Sequence, residues 1–256
     1  MTKLSDMYSW KAHKNVVNDA FVAGMECEIE SVKGIKDHVL NWDSTNDGSL
    51  RNNGIEFISL PMFRDGLVQS FKNLHAQIDY HNRNEAFTHR TSIHVHVNCR
   101  GLTAEQLKQF LLFYALYEEF FFAMVKPERK HNIHCVPLSQ TYLPSRYARP
   151  IEQMINNWHK YTAFNMLPIK TLGTVEFRHM HGTADVELVS QWLKTIENMW
   201  LLCQSDAITQ DNITEVAYIE RWFDTIFADA PQILALKSSL HSIIEDNLLD
   251  VKFALV

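Results

Sequence analysis

The chain has 256 residues, 46% of them hydrophobic and 21% charged, which excludes a disordered or fibrous protein and supplies a sizeable core. A net charge of −6 and a pI near 6.1 exclude a nucleic-acid-coating surface. The 13 histidines stand against only 8 glycines, and neither G-x-x-x-x-G-K-[ST] nor G-x-G-x-x-G occurs, so the two commonest glycine-rich phosphate loops are excluded as well.

In chain order, an N-terminal helix or loop without an apolar signal core leads into a strand over residues 20–30. A polar turn, Asp43-Ser44-Thr45-Asn46-Asp47-Gly48, precedes a second strand over 54–60, stopped by Pro61. Leu67, Phe71, Leu74 and Ile78 recur at helical spacing and predict a helix over 64–80. Residues 92–98 alternate as a strand. A helix over 103–125 then opens with a capping box of Thr103 and Gln106. The most apolar stretch, 110–125, contains Glu118 and Glu119 and is too short to span a bilayer. No membrane partner is expected, and the chain reads as cytoplasmic.

Residues 126–150 are basic and punctuated by Pro127, Pro137, Pro144 and Pro150, which reads as a long functional loop. A strand over 171–180 follows, then amphipathic helices over 185–202, 214–227 and 230–249 that carry no obvious chemistry. Strands and helices that mix without strict alternation predict an α+β fold, with a mostly antiparallel sheet and helices to one side. Cys27, Cys99, Cys135 and Cys203 are scattered without a C-x-x-C pair and are expected to be reduced thiols.

The chemistry concentrates on strand faces. In Met25-Glu26-Cys27-Glu28-Ile29-Glu30 the glutamates share one face and the apolar residues the other. In Ile93-His94-Val95-His96-Val97-Asn98 the histidines and Asn98 share a face. In Val175-Glu176-Phe177-Arg178 the glutamate and arginine do, and Glu56 is flanked by Ile55 and Phe57. Each motif alone is ordinary: E-x-E is most often a solvated strand face, and E-F-R a cross-strand ion pair. Their joint occurrence with the same apolar backing predicts one sheet face carrying Glu26, Glu28, Glu56, Glu176, His94, His96 and Arg178. Carboxylates crowded on a half-buried surface raise one another's pKa unless compensated, and divalent cations supply the compensation. An oxygen-rich donor set favours Mg²⁺, and an imidazole allows Mn²⁺. The fork of Arg178 suits phosphate oxygens. His179 and His181 are expected to pack or lie in a loop. His13, His38, His75, His81, His89, His159 and His241 have no partner pattern.

The order of motifs carries a resemblance. Gly24-x-Glu26-x-Glu28 is followed by Asp47-Gly48-Ser49-Leu50 and by Gly54-x-Glu56-Phe57-x-Ser59-x-Pro61. Then come Ser92 to Asn98, Lys160-Tyr161 with Asn165, Thr174 to Arg178, and Gly182-Thr183. Over roughly residues 20 to 205 the chain resembles the putative amidoligase family, carboxylate–amine ligases similar to glutamine synthetase and glutamate–cysteine ligase. The resemblance implies a glutamine-synthetase-like half-barrel or funnel in a catalytic domain over 1–205, with the helices of 206–256 packed on it. It implies ATP and Mg²⁺ as cofactors and an amide or peptide bond made through an acyl phosphate. Glu28, Asp47 and Glu56 would match the ligands of a metal near the acceptor carboxylate, with Glu56 and Arg178 in the catalytic set. Glu26, His94 and Glu176 would match those of the metal on the ATP phosphates, with Arg178, His96 and Asn98 toward the nucleotide. Tyr161, Asn165 and Thr183 match positions to which no role is assigned.

The implied partners are a small-molecule or peptide carboxylate and an amine or ammonia. A glutamine amidotransferase supplying ammonia and a homo-oligomer both remain open. Arg146 and Arg149 are candidates to hold a substrate carboxylate or phosphate. Two other readings stand beside the ligase: a zinc-dependent hydrolase built on His94, His96 and a carboxylate, and a non-catalytic relative serving as a binding or structural protein.

Overall fold

In the computed structural model, which describes residues 2–14, 16–17, 19–37, 39–205 and 207–256, the alternating segments line up as one antiparallel sheet. His38 and the expected boundary at residue 206 lie outside the described residues. A short helix, α1 (Leu4–Met7), precedes β1 (Ala23–Ile29), β2 (Val32–Ile35), β3 (Trp42–Thr45) and β4 (Ile55–Ser59). Then come α2 (Arg64–Gln77), β5 (Ile78–Tyr80), β6 (Ser92–Asn98) and α3 (Ala104–Ala123). They are followed by α4 (Leu143–Tyr147), α5 (Ile151–Asn156), β7 (Phe164–Asn165) and β8 (Thr174–His181). The chain ends with α6 (Val186–Gln204), α7 (Val216–Ile226), α8 (Pro231–Leu234), α9 (Leu240–Ile243) and α10 (Glu245–Ala254). Among the described residues the main sheet has six strands in the order β3-β4-β1-β6-β8-β7, and β2 and β5 form a separate ribbon. The α+β class is as expected, and the sheet is not closed into a barrel.

One face of the sheet is dry. Cys27, Ile93, Val95, Val97, Val175 and Phe177 are all buried on it. Helices α3 and α6 pack against each other behind them, with α2 against α6 and β1. Helix α3 opens as expected: Gln106 N–H donates to Thr103 Oγ1 at 3.1 Å, and Thr103 N–H donates to Gln106 Oε1 at 2.8 Å. It is apolar nearly all round because Phe110, Phe113, Tyr114, Tyr117, Phe120 and Phe121 are all fully buried, each contributing about 1.5–3 kcal/mol. No helix among the described residues is long and apolar enough to cross a membrane. All four cysteines are buried and unpaired.

Several expectations change in detail. The polar turn at residue 43 begins instead with an edge strand, because Trp42 is buried and its indole N–H reaches Ser70 Oγ on α2 at 2.8 Å. The helix expected to reach residue 80 ends at Gln77, and Ile78–Tyr80 turns extended to pair with β2. The helix expected over 230–249 is broken between α8 and α9, around Ser238-Ser239, residues whose hydroxyls compete for helix backbone. Helix α10 packs on α3 and α4.

The 126–150 segment is not a free loop. It contains 3-10 turns at Pro127–His131 and Leu138–Gln140 as well as α4, and it is anchored by Glu118. That carboxylate, fully buried on α3, accepts from Tyr114 OH at 2.6 Å, Leu138 N–H at 2.6 Å and Ser139 N–H at 2.9 Å. Burial raises its pKa despite the three donors. His179 packs as expected: it is buried among Phe121, Phe122 and Trp192, with Nε2 2.8 Å from Tyr114 OH.

Candidate functional site

The register of the four middle strands sets the open face of the sheet. Glu28 lies opposite Glu56 across β1 and β4, Glu26 opposite His94 across β1 and β6, and His96 opposite Glu176 across β6 and β8. Side chains on directly opposed residues stand about 5 Å apart, so each pair meets without distortion. Between β6 and β8 the register shifts: Ile93 pairs with Met180 and Val95 with Phe177, leaving Arg178 and His179 both opposite His94. Alternation along β8 carries His179, like Phe177, into the aromatic core and leaves Arg178 on the open face, while the β-bulge brings Met180 opposite Ile93.

Two groups of ligand atoms result, each within 4.8 Å of one another: Glu28, Asp47 and Glu56, and Glu26, His96 and Glu176. Asp47 comes from the loop between β3 and β4, whose shape is held from both ends. Its Oδ1 accepts from Ser49 N–H at 2.6 Å, and Arg51 donates to Gly48 O and Leu50 O at 3.0 Å each. Arg51 N–H in turn donates to Glu30 Oε1 at 2.7 Å. Glu30 shares the parity of Glu26 and Glu28, but it is fully buried and paired with Arg90 at 2.8 Å, fastening the loop instead of facing the groups.

The second group brings His96 together with Glu26 and Glu176, and His94, the histidine of the set implied by resemblance, lies against the same two carboxylates. His94 sits between the groups with both ring nitrogens engaged. Its Nδ1 is 3.1 Å from Glu26 Oε2 and 3.3 Å from Glu176 Oε1, and its Nε2 is 2.9 Å from Ser92 Oγ. Ser92 Oγ also donates to Glu28 Oε2 at 2.5 Å, so one hydroxyl joins the two groups. His96 Nδ1 is 3.1 Å from Thr174 Oγ1. Its buried Nε2 faces Glu26 Oε1 at 3.2 Å out of line for a hydrogen bond. Glu176 accepts from Asn165 Nδ2 at 2.7 Å and pairs with Arg178. Arg178 Nε donates to His134 O at 2.9 Å, and its guanidinium lies 5.9 Å from the Tyr161 ring.

The electrostatics follow from this crowding. Burial works against ionising Glu26, but the His94 hydrogen bond and the charges of His94 and His96 outweigh it and hold the carboxyl well below the usual range. The Ser49 hydrogen bonds lower Asp47. Among the described residues Glu56 has no cationic partner: burial, then the charges of Glu26, Glu28, Asp47 and Glu176, push it up to about 7. A raised carboxyl beside four others, together with a buried imidazole nitrogen that makes no hydrogen bond, is what a divalent cation relieves. The residues fit such an ion. The donors are mostly hard carboxylate oxygens with imidazole in one group, a set suited to Mg²⁺ or Mn²⁺.

Two cavities flank the groups. On the Glu28, Asp47 and Glu56 side lies a basin of about 930 Å³ whose far wall carries Arg129, His131, His134, Lys160, Tyr161 and Arg178. Arg129 is buried there, donating to His179 O at 2.9 Å and Arg178 O at 2.6 Å, which fixes the backbone of the bulge. On the Glu26 and His96 side lies a narrow slot walled by Val16, Val22, Met25, Ile58, Pro61 and Leu172. Asn98 borders this slot, but its amide donates to Val17 O at 3.0 Å and Ala20 O at 3.2 Å and fastens the N-terminal segment. Arg146 and Arg149 line neither cavity.

The positions matched without a role now have one. Asn165 orients Glu176, Tyr161 lines the basin, and Thr183 Oγ1 accepts from Asp185 N–H at 3.1 Å where α6 begins. Ser92, Glu30 and Arg129 support the site without belonging to either ligand group. Ser92 has the parity of His94 and was legible; Glu30 and Arg129 act through backbone that sequence does not position.

No curated protein matches the chain. Residues 52–200 match the family described as putative amidoligase enzyme, a span that includes Glu56, His94, His96, Glu176 and Arg178 and begins just after Asp47. With more than half of the chain matched, the chain belongs to the putative amidoligase enzyme family.

Proposed function

We propose that the protein is an ATP- and Mg²⁺-dependent carboxylate–amine ligase that forms an amide or peptide bond through an acyl phosphate. The observation that carries this reading is the pair of adjoining ligand groups beside Arg178, set between an apolar slot and a large polar basin. Family membership supports amide-bond formation in general; the nucleotide, the metals and the intermediate belong to the proposal.

Glu28, Asp47 and Glu56 would hold one cation, and Glu26, His96 and Glu176 a second, with His94 steadying both groups. Bound there, such ions would neutralise charge on the polyphosphate and on the acceptor carboxylate. The slot offers apolar walls to the nucleoside, so the phosphates run across Glu26 and His96 toward the basin. A substrate carboxylate oxygen attacks the γ-phosphorus, the bond to the β-phosphate oxygen breaks, and ADP leaves. The amine nitrogen then attacks the acyl carbon, expels phosphate and loses a proton.

Arg178 contributes a fixed guanidinium at the transferring phosphoryl group. Its Nε bond to His134 O and its place by Tyr161 hold the fork while the terminal nitrogens face the site. The cationic far wall, with Lys160 and Arg129, favours an anionic donor such as a small-molecule or peptide carboxylate. The amine is ammonia or a primary amine.

The test is ADP release by purified protein with ATP and MgCl₂ across pools of carboxylates, amino acids and peptides, with products read by mass spectrometry. The expected result is an amide formed with stoichiometric ADP and phosphate, lost in Glu28→Ala and Arg178→Ala while the melting temperature is retained. Tightly bound zinc with hydrolysis in the absence of nucleotide, or no ATP binding at all, overturns the reading.

A further inference from the structure

Arg146 and Arg149 lie away from the funnel, yet their surroundings are built. With Thr141, Ser145, Met154 and Asn157 they line a separate cavity of about 170 Å³ at the surface, and no acidic side chain is among the lining residues. It shares no residue with the basin or the slot. Arg146 is clamped: its guanidinium lies 5.0 Å from the Trp158 ring, and its Nε donates to Thr141 O at 3.0 Å. That leaves its two terminal amino groups without an acceptor among the described residues. Arg149 is exposed, with its whole fork available. Asn157 uses one amide N–H on Gln153 O at 2.8 Å and keeps the other, and the Ser145 hydroxyl is exposed.

The cavity therefore presents donors and two positive charges, without an internal counter-charge. Burial and the neighbouring Arg149 charge both lower the pKa of Arg146, so holding the two guanidinium groups together is unfavourable until an anion joins them. Paired forks with a hydroxyl and an amide N–H match the tetrahedral oxygens of a phosphate better than a planar carboxylate, which one arginine satisfies alone.

We propose that this cavity is a binding site for a phosphate group, carried by inorganic phosphate or by a small-molecule phosphomonoester, separate from the funnel. The proposal does not depend on the ligase reading. Trp158 ties the site to the sheet, since its indole N–H donates to Phe164 O in β7 at 2.9 Å, beside Asn165.

Isothermal titration calorimetry of the full chain at constant ionic strength, with inorganic phosphate in one arm and O-phosphoserine in the other, tests it. Saturable binding in at least one arm is expected, and the arm that binds identifies the source. Affinity should fall at least about tenfold in Arg149→Gln and in Arg146→Gln. Arg149 is exposed, and its side chain has no hydrogen bond or ion pair among the described residues, so that variant keeps the test decisive if Arg146→Gln unfolds. Absence of saturable binding in both arms, or full affinity in Arg149→Gln, overturns the proposal; the latter result would place the phosphate outside this cavity.

Discussion

Glu56→Gln is expected to make the metal-free protein more stable while weakening its response to Mg²⁺. The reason is the unbalanced charge at Glu56, raised from 4.5 to about 7 first by burial and then by four neighbouring carboxylates. The sign follows from linkage. A carboxyl whose folded pKa lies above its unfolded value binds more protons in the folded state, so stability falls as pH rises from about 4.5 to about 7 and stays reduced above that. A shift of this size corresponds to about 3 kcal/mol in full. Glu56 is only partly buried, and solvent screening reduces the figure to about 1–2 kcal/mol. The neutral isostere removes that penalty. In a chelator at mildly alkaline pH, Glu56→Gln should melt about 2–6 °C above the parent protein, and the difference should vanish below about pH 4.5. Millimolar Mg²⁺ should raise the melting temperature of the parent more than that of the variant, since the variant has lost one oxygen ligand's charge. Scanning fluorimetry over pH, with and without Mg²⁺, reads all of this. A variant that is no more stable than the parent without metal, or that keeps the full Mg²⁺ response, would refute the argument.

Other perturbations probe separate links. Asn165→Ala removes the amide that orients Glu176 and should weaken Mg²⁺ affinity about 10- to 100-fold, as followed by metal titration, with little change in melting temperature. Glu118→Ala strands the Leu138 and Ser139 N–H groups and leaves the Tyr114 hydroxyl only His179 as partner, a loss of about 2–5 kcal/mol in urea unfolding, with Glu118→Gln milder because one acceptor survives. Gly173→Ala places a Cβ 2.5 Å from Arg100 Cγ and 2.9 Å from the Trp10 ring at φ +74°, and should cost about 1–3 kcal/mol by the same measurement. A stability change within error in either case would remove the stated contact from the account.

Much of the site was legible because strands have a period of two. Glu26 with Glu28, His94 with His96, and Glu176 with Arg178 must share faces whatever the fold, and the alternating Cys27, Val95, Val97, Val175 and Phe177 mark the opposite face as buried. The capping box at Thr103 and Gln106 was legible for a similar reason: its partners lie three residues apart.

Roles that depend on long-range partners were not readable in this way. Glu30 has the same parity as Glu26 and Glu28, yet it serves a loop because Arg90 and Arg51 reach it. His94 and His96 are equivalent in pattern, and the register against β1 and β8 divides them: His94 meets Ser92, Glu26 and Glu176, while His96 meets Glu26 and Thr174. Arg146 and Arg149 looked like funnel residues in a basic loop, and the buried anchor at Glu118 folds that loop elsewhere. Local periodicity dictates which way a side chain points; which partner it meets is set by strand register, a bulge and loop anchors between residues far apart in the chain, and these arise only when the whole core packs.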